Sequence, residues 1–308
     1  MTQESNLQEK TRYPKYLREV LLYSLVVVFT LPLASILNRF IPSIVFYNLD
    51  IDLLIAVILT FFGMKWLIFK YRKTFVVLSI IILLSQISGY FLRGYSFYHV
   101  FNDYRVLVHN LWNRQPLFLG TSLDVDSNIP DPKIVEIGER VKSKVSWSDS
   151  AVRNFSVLHC QDYFSSYENK YGYCVRYLSL FKHINSNFKY ISDAKRDEYF
   201  ATPSETIKVG LAGDCDDHSI LMASCMKAIG GEVRLVIVEG HIYPELGFDG
   251  IDQFNNAVRA IDKLFHDDLK DYVHYHTDEG KYWINLDYSA RHPGGPYTDK
   301  KVLYVMPI

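Results

Sequence analysis

Three apolar runs of about 19 residues each constrain this chain more than any other feature. They read EVLLYSLVVVFTLPLASIL at 19–37, IDLLIAVILTFFGMKWLIF at 51–69 and TFVVLSIIILLSQISGYFL at 74–92. A helix of that length spans roughly 28 Å, which matches the hydrocarbon core of a bilayer. The runs therefore predict three transmembrane helices, and the lipid bilayer is a predicted partner of the chain.

Other interpretations of these runs fit less well. Helices buried in a large soluble core seldom occur three in succession. A cleaved signal peptide is disfavoured because the first run begins after 18 residues, lacks a clear small-residue cleavage site and is followed by two more runs. A transporter or channel is disfavoured because the runs carry no paired charges within the membrane.

Basic residues near the helix ends predict the orientation. The N-terminal segment 1–18 holds four Lys or Arg residues and the turn 70–73 holds three, whereas the loop 38–50 holds only Arg39. The positive-inside rule then places segment 1–18 and the turn in the cytoplasm. Three crossings put the rest of the chain outside, in a periplasm or at a cell surface, although Arg93, Arg105 and Arg114 weaken the contrast.

The remaining sequence divides into a linker and one domain. Residues 93–133 are predicted to form the linker, because 120–132 are rich in Asp, Asn and Pro and are typical of turns. Residues 134–308 are predicted to form the domain. The net charge is −1 and no basic stripe is present, so nucleic acid is not an expected partner.

The domain is predicted to belong to the α+β class. Apolar residues recur at helical spacing from Ile134 to Val145, Ser148 is a predicted N-cap, and another helix is predicted to run from Tyr171 to His183. Residues 215–229 form a helix that two glycines end. Three strands are expected at 232–240, 241–246 and 281–290. A helix followed by antiparallel strands is an α+β arrangement.

The four cysteines do not form a disulfide framework. There is no C-x-x-C pair, and Cys215 and Cys225 share a predicted helix that separates them by about 15 Å. A disulfide requires Cα atoms within about 7 Å, so these two cannot bridge. No cofactor and no bound metal are predicted.

Cys215 is the strongest candidate for chemistry. It lies at the N-terminus of the predicted helix, where unpaired N–H groups and the helix dipole stabilise a thiolate. His241 begins one strand and Asp287 lies on the next, so the imidazole and carboxylate can lie side by side. A buried structural cysteine is the alternative for residue 215, and Asp216 and Asp217 oppose a thiolate there.

The motifs G-D-C-D-D-H-S (213–219), H-I-Y-P-E (241–245) and W-I-N-L-D (283–287) resemble the transglutaminase-like superfamily. The resemblance covers roughly 134–308, and the segment 204–210 looks like the short helix that precedes the cysteine in such domains. It implies a papain-like fold with a nucleophile-bearing helix packed on an antiparallel sheet. It also implies that Cys215 attacks a carbonyl, His241 relays the proton and Asp287 orients His241.

Two features depart from a minimal domain of this kind. Pro244 removes a ladder donor, so we expect its strand to be short or at an edge. The segment 248–275 is predicted to hold an amphipathic helix of five to six turns over 251–269, which either packs on the sheet or forms a lid. Trp283 shares a strand face with Asp287 and is expected to shield the imidazole.

Rival assignments remain for several residues. His218 is an alternative base, because it lies three residues after Cys215 on nearly the same helix face. Asp214, Asp216, Asp217 and His218 could together bind a metal, although capping and solvated charge explain them more simply. His274 and His276 form an H-x-H pair that is more typical of surface residues than of ligands.

The expected function is therefore thiol acyl transfer on amide bonds by a membrane-anchored enzyme with the catalytic residues Cys215, His241 and Asp287. Its substrate is expected to be a peptide, a protein or a cell-wall peptide outside the membrane, and hydrolysis is favoured over cross-linking because water is the default acceptor. The alternative is a non-catalytic envelope binding module that keeps the fold and uses the cleft for recognition.

Overall fold

The computed structural model describes residues 15–41, 44–46, 49–91, 96–112, 118–123, 131–192, 199–269, 272–297 and 300–308. The chain divides into two compact units, Met1–Trp112 and Asn113–Ile308. Most of the basic N-terminal segment and the turn-rich stretch 124–130 lie outside the described residues.

The first unit is helical. Its elements are α1 (Lys15–Asn38), β1 (Val45–Phe46), β2 (Leu49–Asp50), α2 (Ile51–Lys70), α3 (Arg72–Phe91) and α4 (Phe97–Trp112). The spans Glu19–Asn38, Ile51–Lys70 and Arg72–Phe91 are long and apolar enough to cross a membrane. They agree closely with the three predicted runs, because a run of about 20 apolar residues leaves few alternatives to a spanning helix.

The helix α4 packs on α1 within this unit. The Tyr104 hydroxyl donates a hydrogen bond to the Leu31 carbonyl at 3.0 Å. The Ser35 hydroxyl donates another to the carboxylate of Asp103, and both of these residues are buried. The segment Phe97–Trp112, which follows the third span and is rich in aromatic residues, is therefore a helix of the first unit.

The second unit is mixed α+β. Its helices are α5 (Pro132–Lys144), α6 (Ser150–His159), a 3-10 turn (Ser165–Tyr167), α7 (Glu168–Tyr171), α8 (Cys174–Asn187), α9 (Pro203–Lys208), α10 (Cys215–Ala228) and α11 (Gly250–Leu264). Its strands are β3 (Phe118–Ser122), β4 (Lys189–Tyr190), β5 (Ala212–Gly213), β6 (Glu232–Val238), β7 (His241–Asp249), β8 (Val273–Asp278), β9 (Lys281–Asn285) and β10 (Val302–Pro307).

The main sheet has six strands in the order β10-β6-β7-β9-β8-β3, and β4 and β5 form a separate parallel pair. Neighbours from β10 to β8 are antiparallel, whereas β3 runs parallel to β8 at the edge. The expected purely antiparallel sheet is therefore wrong at this edge. The many residues between β3 and β8 provide the long connection that a parallel pair requires.

The strand β3 also changes the expected boundary of the domain. Its five residues fall within the predicted linker 93–133, yet they pair with Val273–Thr277 of β8. A short edge strand of sequence FLGTS has little local signal, because its pairing partner lies far away in the chain.

Pro244 lies in the central strand β7, between β6 and β9, so the expectation of a short or edge strand is wrong. The Leu286 amide donates to the Pro244 carbonyl at 2.9 Å, and the β7–β9 ladder ends at the adjacent pair Glu245 and Asn285. The bond that proline cannot make, from residue 244 to Leu286, therefore falls at the end of the ladder. The sheet tolerates the loss of one hydrogen bond at the end of a ladder better than the loss of one in its middle.

The helix α10 is the core of the second unit. It packs on β6 and β7 of the sheet and on α5, α6, α8 and α9. Residues 217–226 are all buried, so this helix is enclosed around its whole circumference.

Two further helices differ in detail from the sequence expectation. The N-cap of α6 is Asp149, whose carboxylate accepts from the Ala151 amide at 2.7 Å, rather than Ser148. The predicted helix from Tyr171 to His183 is instead α7 followed by α8.

The amphipathic helix α11 ends at Leu264 and is shorter than expected. It packs on β7, β8 and β9, and Phe254 stacks on Tyr282 with ring centroids 4.7 Å apart. The sheet-packing alternative therefore describes this helix better than a lid.

Candidate active site

Cys215 is the first residue of α10, and the turn before it is held tightly. The Asp217 carboxylate accepts from the Ala201 amide at 2.8 Å and from the Asp214 amide at 3.4 Å. A Cβ at Gly213 would lie 2.4 Å from an oxygen of that carboxylate, so only glycine fits there. Asp217 thus serves the backbone at the helix start and is turned away from solvent.

Ser219 joins the first turn of α10 to β7. Its hydroxyl lies 2.6 Å from the Cys215 carbonyl and 3.0 Å from the Ile242 carbonyl. Ile242 follows His241 directly, so this hydroxyl fixes the distance between the backbones that carry the thiol and the imidazole. The i to i+4 spacing of Ser219 from Cys215 places both residues on one face of the helix, which is the sequence signal for this contact.

His241 and Asp287 are hydrogen-bonded to each other. The imidazole Nε2 lies 2.9 Å from Asp287 Oδ2, and the exposed fractions of the two side chains are 14% and 5%. Asp287 follows the end of β9 by two residues, and β9 is the antiparallel neighbour of β7. The hydroxyl of Ser289 donates to the same carboxylate oxygen at 2.9 Å. The Asp287 amide donates to the Asn285 side chain at 2.9 Å.

The imidazole also reaches the nucleophile. Burial alone would lower the pKa of His241, but its hydrogen bonds to Asp287 and to the Cys215 side chain raise that pKa to about 9. Burial likewise favours a raised pKa for Asp287, and its hydrogen bond to His241 outweighs this and lowers the pKa. At neutral pH the site therefore holds an imidazolium between the Asp287 carboxylate and the Cys215 sulfur.

The aromatic neighbours of the imidazole are Tyr288 and Tyr243 rather than Trp283. The rings of His241 and Tyr288 have centroids 6.0 Å apart, whereas Trp283 stacks under the guanidinium of Arg234 at 4.2 Å. The expected shielding by Trp283 is therefore wrong. Tyr190 of β4 stacks on Tyr288 at 5.3 Å, and nothing in the sequence indicated that β4 lies beside the site.

His218 lies beneath the site rather than in it. It is fully buried, with its ring against Phe188 and Tyr288. Among the residues that the structure describes, neither of its ring nitrogens has a hydrogen-bond partner. Burial lowers the pKa of His218 to about 4, so it is neutral at physiological pH. This environment disfavours His218 as the base, because a base must reach the nucleophile and the substrate.

The acidic residues around Cys215 do not form the metal set considered from sequence. Asp214, Cys215 and Asp216 have ligand atoms within 4.8 Å of one another. Asp217 is directed at backbone amides, and His218 is enclosed in the core. Only two of the four residues in that set therefore lie together, on either side of the thiol.

His276 is buried, so its expected surface position is wrong. Its Nδ1 lies 2.6 Å from Glu245 Oε1, and its ring stacks on Tyr297 with centroids 3.8 Å apart. Glu245 is fully buried and also accepts from Arg234 Nε at 2.6 Å and from the Tyr297 hydroxyl at 2.7 Å. The pairing of β8 in the sheet determines which of its side chains face the core, and it places His276 on the buried side. The H-x-H spacing alone does not give this information.

A pocket of about 340 Å³ opens beside Cys215 and His241. Most of its wall is apolar and comes from α5, the segment before α9, β6, β7 and β10. The apolar residues that line it are Ile134, Ile137, Val141, Phe200, Ile237, Val238, Ile242 and Leu303. Three carboxylates also line it, those of Asp214, Asp216 and Glu239. The contributions of α5 and β10 to the site have no local signal in the sequence, because both elements lie far from the motifs along the chain.

Comparison of the sequence with known protein families finds no matching family model, and comparison with curated proteins finds no match either. The geometry itself supplies a thiol at a helix N-terminus, an imidazole hydrogen-bonded to it and a carboxylate hydrogen-bonded to the imidazole. These groups border an apolar pocket, and together they can form and break a covalent acyl bond.

Proposed function

We propose that the second unit is a papain-like thiol enzyme of the transglutaminase-like type, acting on amide bonds. The observation that carries this proposal is the connected series Cys215, His241 and Asp287, held by α10, β7 and the end of β9. A nucleophile, a base that reaches it and a carboxylate that orients the base are the groups that acyl transfer requires.

In the first half of the reaction the Cys215 sulfur attacks the carbonyl carbon of the amide. The carbonyl π electrons move to oxygen, and the backbone N–H of Cys215 at the positive helix end is one donor to that oxyanion. As the C–N bond breaks, His241 gives its proton to the departing amine. A thioester between Cys215 and the acyl group remains.

In the second half water attacks the thioester carbon while His241 accepts a proton from it. The C–S bond breaks, the carboxylic acid leaves and the Cys215–His241 pair is restored. Asp287 stays ionised throughout, because the hydrogen bond from His241 lowers its pKa. Water is the acceptor in this proposal, so the net reaction is hydrolysis.

The pocket supports a substrate with a large apolar side chain next to the cleaved bond. Its apolar walls bury such a side chain, and burial of apolar area favours binding by about 25 cal/mol per Å². The carboxylates of Asp214, Asp216 and Glu239 favour a cationic group nearby and repel an acidic one. A peptide, protein or cell-wall peptide of that character is the proposed substrate.

We also propose that this unit is extracytoplasmic. The turn between α2 and α3 contains Lys70, Arg72 and Lys73, whereas Arg39 is the single basic residue in the loop 38–50. By the positive-inside rule the basic turn is cytoplasmic, so the third span ends on the opposite side. A reporter fused to the C-terminus and active only outside the cytoplasm tests this orientation.

Trapping of the acyl-enzyme tests the proposed activity. The full chain in detergent is incubated with peptides that carry apolar, cationic or acidic residues, quenched with acid and weighed intact by mass spectrometry. The wild type and Cys174→Ala should gain the mass of the acyl group, and Cys215→Ala should not. The expected peptides carry an apolar residue beside the cleaved bond and a basic residue near it.

Two outcomes would overturn the proposal. An equal adduct on Cys215→Ala would show that another group is the nucleophile. Tight binding of a peptide to the wild type and to Cys215→Ala, with no adduct and no cleavage in either, would instead favour the non-catalytic binding module.

A further inference from the structure

A second cluster of ionisable side chains lies among the helices of the second unit and shares no residue with the pocket beside Cys215. His159 is the last residue of α6, Asp162 follows in the next turn, and His183 lies on α8. One ligand atom from each lies within 4.8 Å of the other two. The Nδ1 atoms of His159 and His183 lie 2.6 Å and 2.8 Å from the same oxygen, Asp162 Oδ2.

The two imidazoles are held in place by their surroundings. Their rings stack with centroids 3.6 Å apart and an interplanar angle of 21°. Phe155, one turn before His159, packs against both rings at 4.6 Å and 5.5 Å. These aromatic contacts keep both rings beside Asp162, with each Nδ1 atom near the same carboxylate oxygen.

Ser179 ties the turn that carries Asp162 to α8. Its hydroxyl donates to the His159 carbonyl at 3.1 Å and accepts from the Tyr163 amide at 3.0 Å. Ser179 lies four residues before His183, on the same face of α8. The backbone on both sides of Asp162 is therefore anchored to the helix that presents His183, which is the support that a metal site needs beyond its ligands.

We propose that His159, Asp162 and His183 bind a divalent first-row transition metal of the zinc class, with water completing the coordination. Imidazole nitrogens suit Zn²⁺ and its neighbours, whereas Ca²⁺ and Mg²⁺ prefer all-oxygen sites. Three protein ligands and one open position are common for zinc.

All three ligands must shift to hold zinc, because two imidazoles bound to one tetrahedral zinc cannot keep the 3.6 Å stacking of their rings. Zinc bonds of about 2.1 Å in a tetrahedral site separate the donor atoms by about 3.4 Å. The two His–Asp contacts of 2.6 Å and 2.8 Å must therefore open by about 0.6–0.8 Å. Asp162 can make this movement, because its side chain is the most exposed of the three at 37%.

A metal at this position would connect α6 to α8, and both of these helices pack on α10. Its role is therefore to stabilise the helical layer that supports the Cys215 helix. Binding to the folded chain alone must raise the thermal unfolding midpoint.

Zinc binding to the full chain in detergent tests this site. The background is Cys215→Ala, which removes the thiol flanked by Asp214 and Asp216 and makes the result independent of the proposed enzymatic activity. After treatment with a chelator, the chain is loaded with Zn²⁺ and passed through a desalting column, and bound zinc is measured by elemental analysis. Replacement of zinc by Co²⁺ gives a visible absorption band that reports on coordination geometry.

One zinc per chain is expected, together with a higher unfolding midpoint. Asp162→Asn and His183→Gln should each weaken binding at least tenfold and abolish the rise in midpoint. Asp268→Asn is the matched control, because Asp268 pairs with Lys182 beside the site and should leave binding unchanged. The midpoints without metal report whether each variant folds, and the exposed position of Asp162 makes Asp162→Asn the decisive variant.

No retained zinc in the Cys215→Ala chain would overturn the proposal, as would equal zinc affinity in Asp162→Asn and Asp268→Asn. A cobalt spectrum typical of octahedral Co²⁺ coordinated by water would also overturn it, because it would show adventitious binding.

Discussion

Asp287 Oδ2 lies 2.9 Å from His241 Nε2, although the two residues are 46 positions apart in the chain. The antiparallel pairing of β7 with β9 makes this contact, because His241 begins β7 and Asp287 follows the end of β9. Nε2 is thereby occupied, which leaves Nδ1 as the imidazole nitrogen for the Cys215 side chain. The imidazole therefore lies between the thiol and the carboxylate because β7, which carries His241, lies beside both α10 and β9.

Asp287→Asn should make Cys215 less reactive. Burial lowers the pKa of His241, but the wild-type hydrogen bonds to Asp287 and to the Cys215 side chain raise it to about 9. Without the carboxylate charge this pKa falls, so less imidazolium lies beside the Cys215 sulfur at pH 7. We expect alkylation of Cys215 by iodoacetamide at pH 7 to slow at least tenfold.

Ser289→Ala is the matched control for that variant, because it removes one hydrogen bond to Asp287 and keeps the charge. Its alkylation rate should stay within about threefold of the wild type, since one neutral hydrogen bond contributes only about 1 kcal/mol. Equal rates in the wild type and Asp287→Asn across pH 5–9 would contradict the role given to the carboxylate.

Ser219→Ala tests a positioning residue. Its hydroxyl lies near both the Cys215 and the Ile242 carbonyls, and its loss should loosen the fit between α10 and β7. We expect turnover of a peptide substrate to fall roughly tenfold with little change in KM, because the misplacement affects the reaction and not the pocket. Ser219→Thr keeps the hydroxyl and should recover most of the rate. A loss confined to thermal stability would show that Ser219 is merely structural.

Glu245→Ala should be strongly destabilising. Glu245 is fully buried and accepts hydrogen bonds from Arg234, His276 and Tyr297. Its removal takes the buried partner from the Arg234 guanidinium, which keeps only the ion pair to the more exposed Asp278 among the described carboxylates. The expected loss is about 3–5 kcal/mol.

Glu232→Ala provides the comparison, because Glu232 pairs with Lys281 at the surface with side chains 41% and 37% exposed. Its loss should be about 0–1 kcal/mol. Thermal unfolding of both variants, followed by aromatic circular dichroism, measures the difference. Similar midpoints for the two would contradict the importance assigned to the buried network.

Ile137→Trp should fill the pocket beside Cys215. Ile137 lies on α5 and lines the apolar wall, so an indole there competes with an apolar substrate side chain. Labelling by a peptidyl thiol probe with a large apolar residue should fall at least tenfold, whereas labelling by iodoacetamide should be unchanged. Val157→Trp, at a 63% exposed position on α6, is the control. Equal effects of the two tryptophans on probe labelling would contradict the assignment of the pocket.

The parts of the fold that sequence predicted are those with local causes. The three spans follow from hydropathy and length alone. The start of α10 follows from Gly213, Asp214 and Asp217, which lie within five consecutive positions, although Asp217 also accepts from the distant Ala201 amide. The strands β6 and β7 have β-branched and aromatic residues and follow each other directly in the chain, so their pairing was also predictable.

The parts that sequence did not predict depend on distant partners. The strand β3 pairs with β8, and the buried position of His276 follows from the sheet register. Tyr288 rather than Trp283 lies beside the imidazole, because the Trp283 ring packs against the guanidinium of Arg234. The pocket combines α5, β6, β7 and β10, and no local pattern indicates that these segments meet.

The pH dependence of cysteine alkylation tests the central claim most directly. Burial raises the pKa of Cys174 and Cys225 to about 12 and also raises that of Cys160, so these three thiols should react slowly in the folded chain. Iodoacetamide labelling of each cysteine is measured by peptide mass spectrometry from pH 5 to 9, in the wild type and in His241→Gln. We predict that Cys215 reacts fastest throughout and that His241→Gln removes its advantage at neutral pH. Equal, slow labelling of all four cysteines, or a fast Cys215 that is indifferent to His241→Gln, would contradict the account.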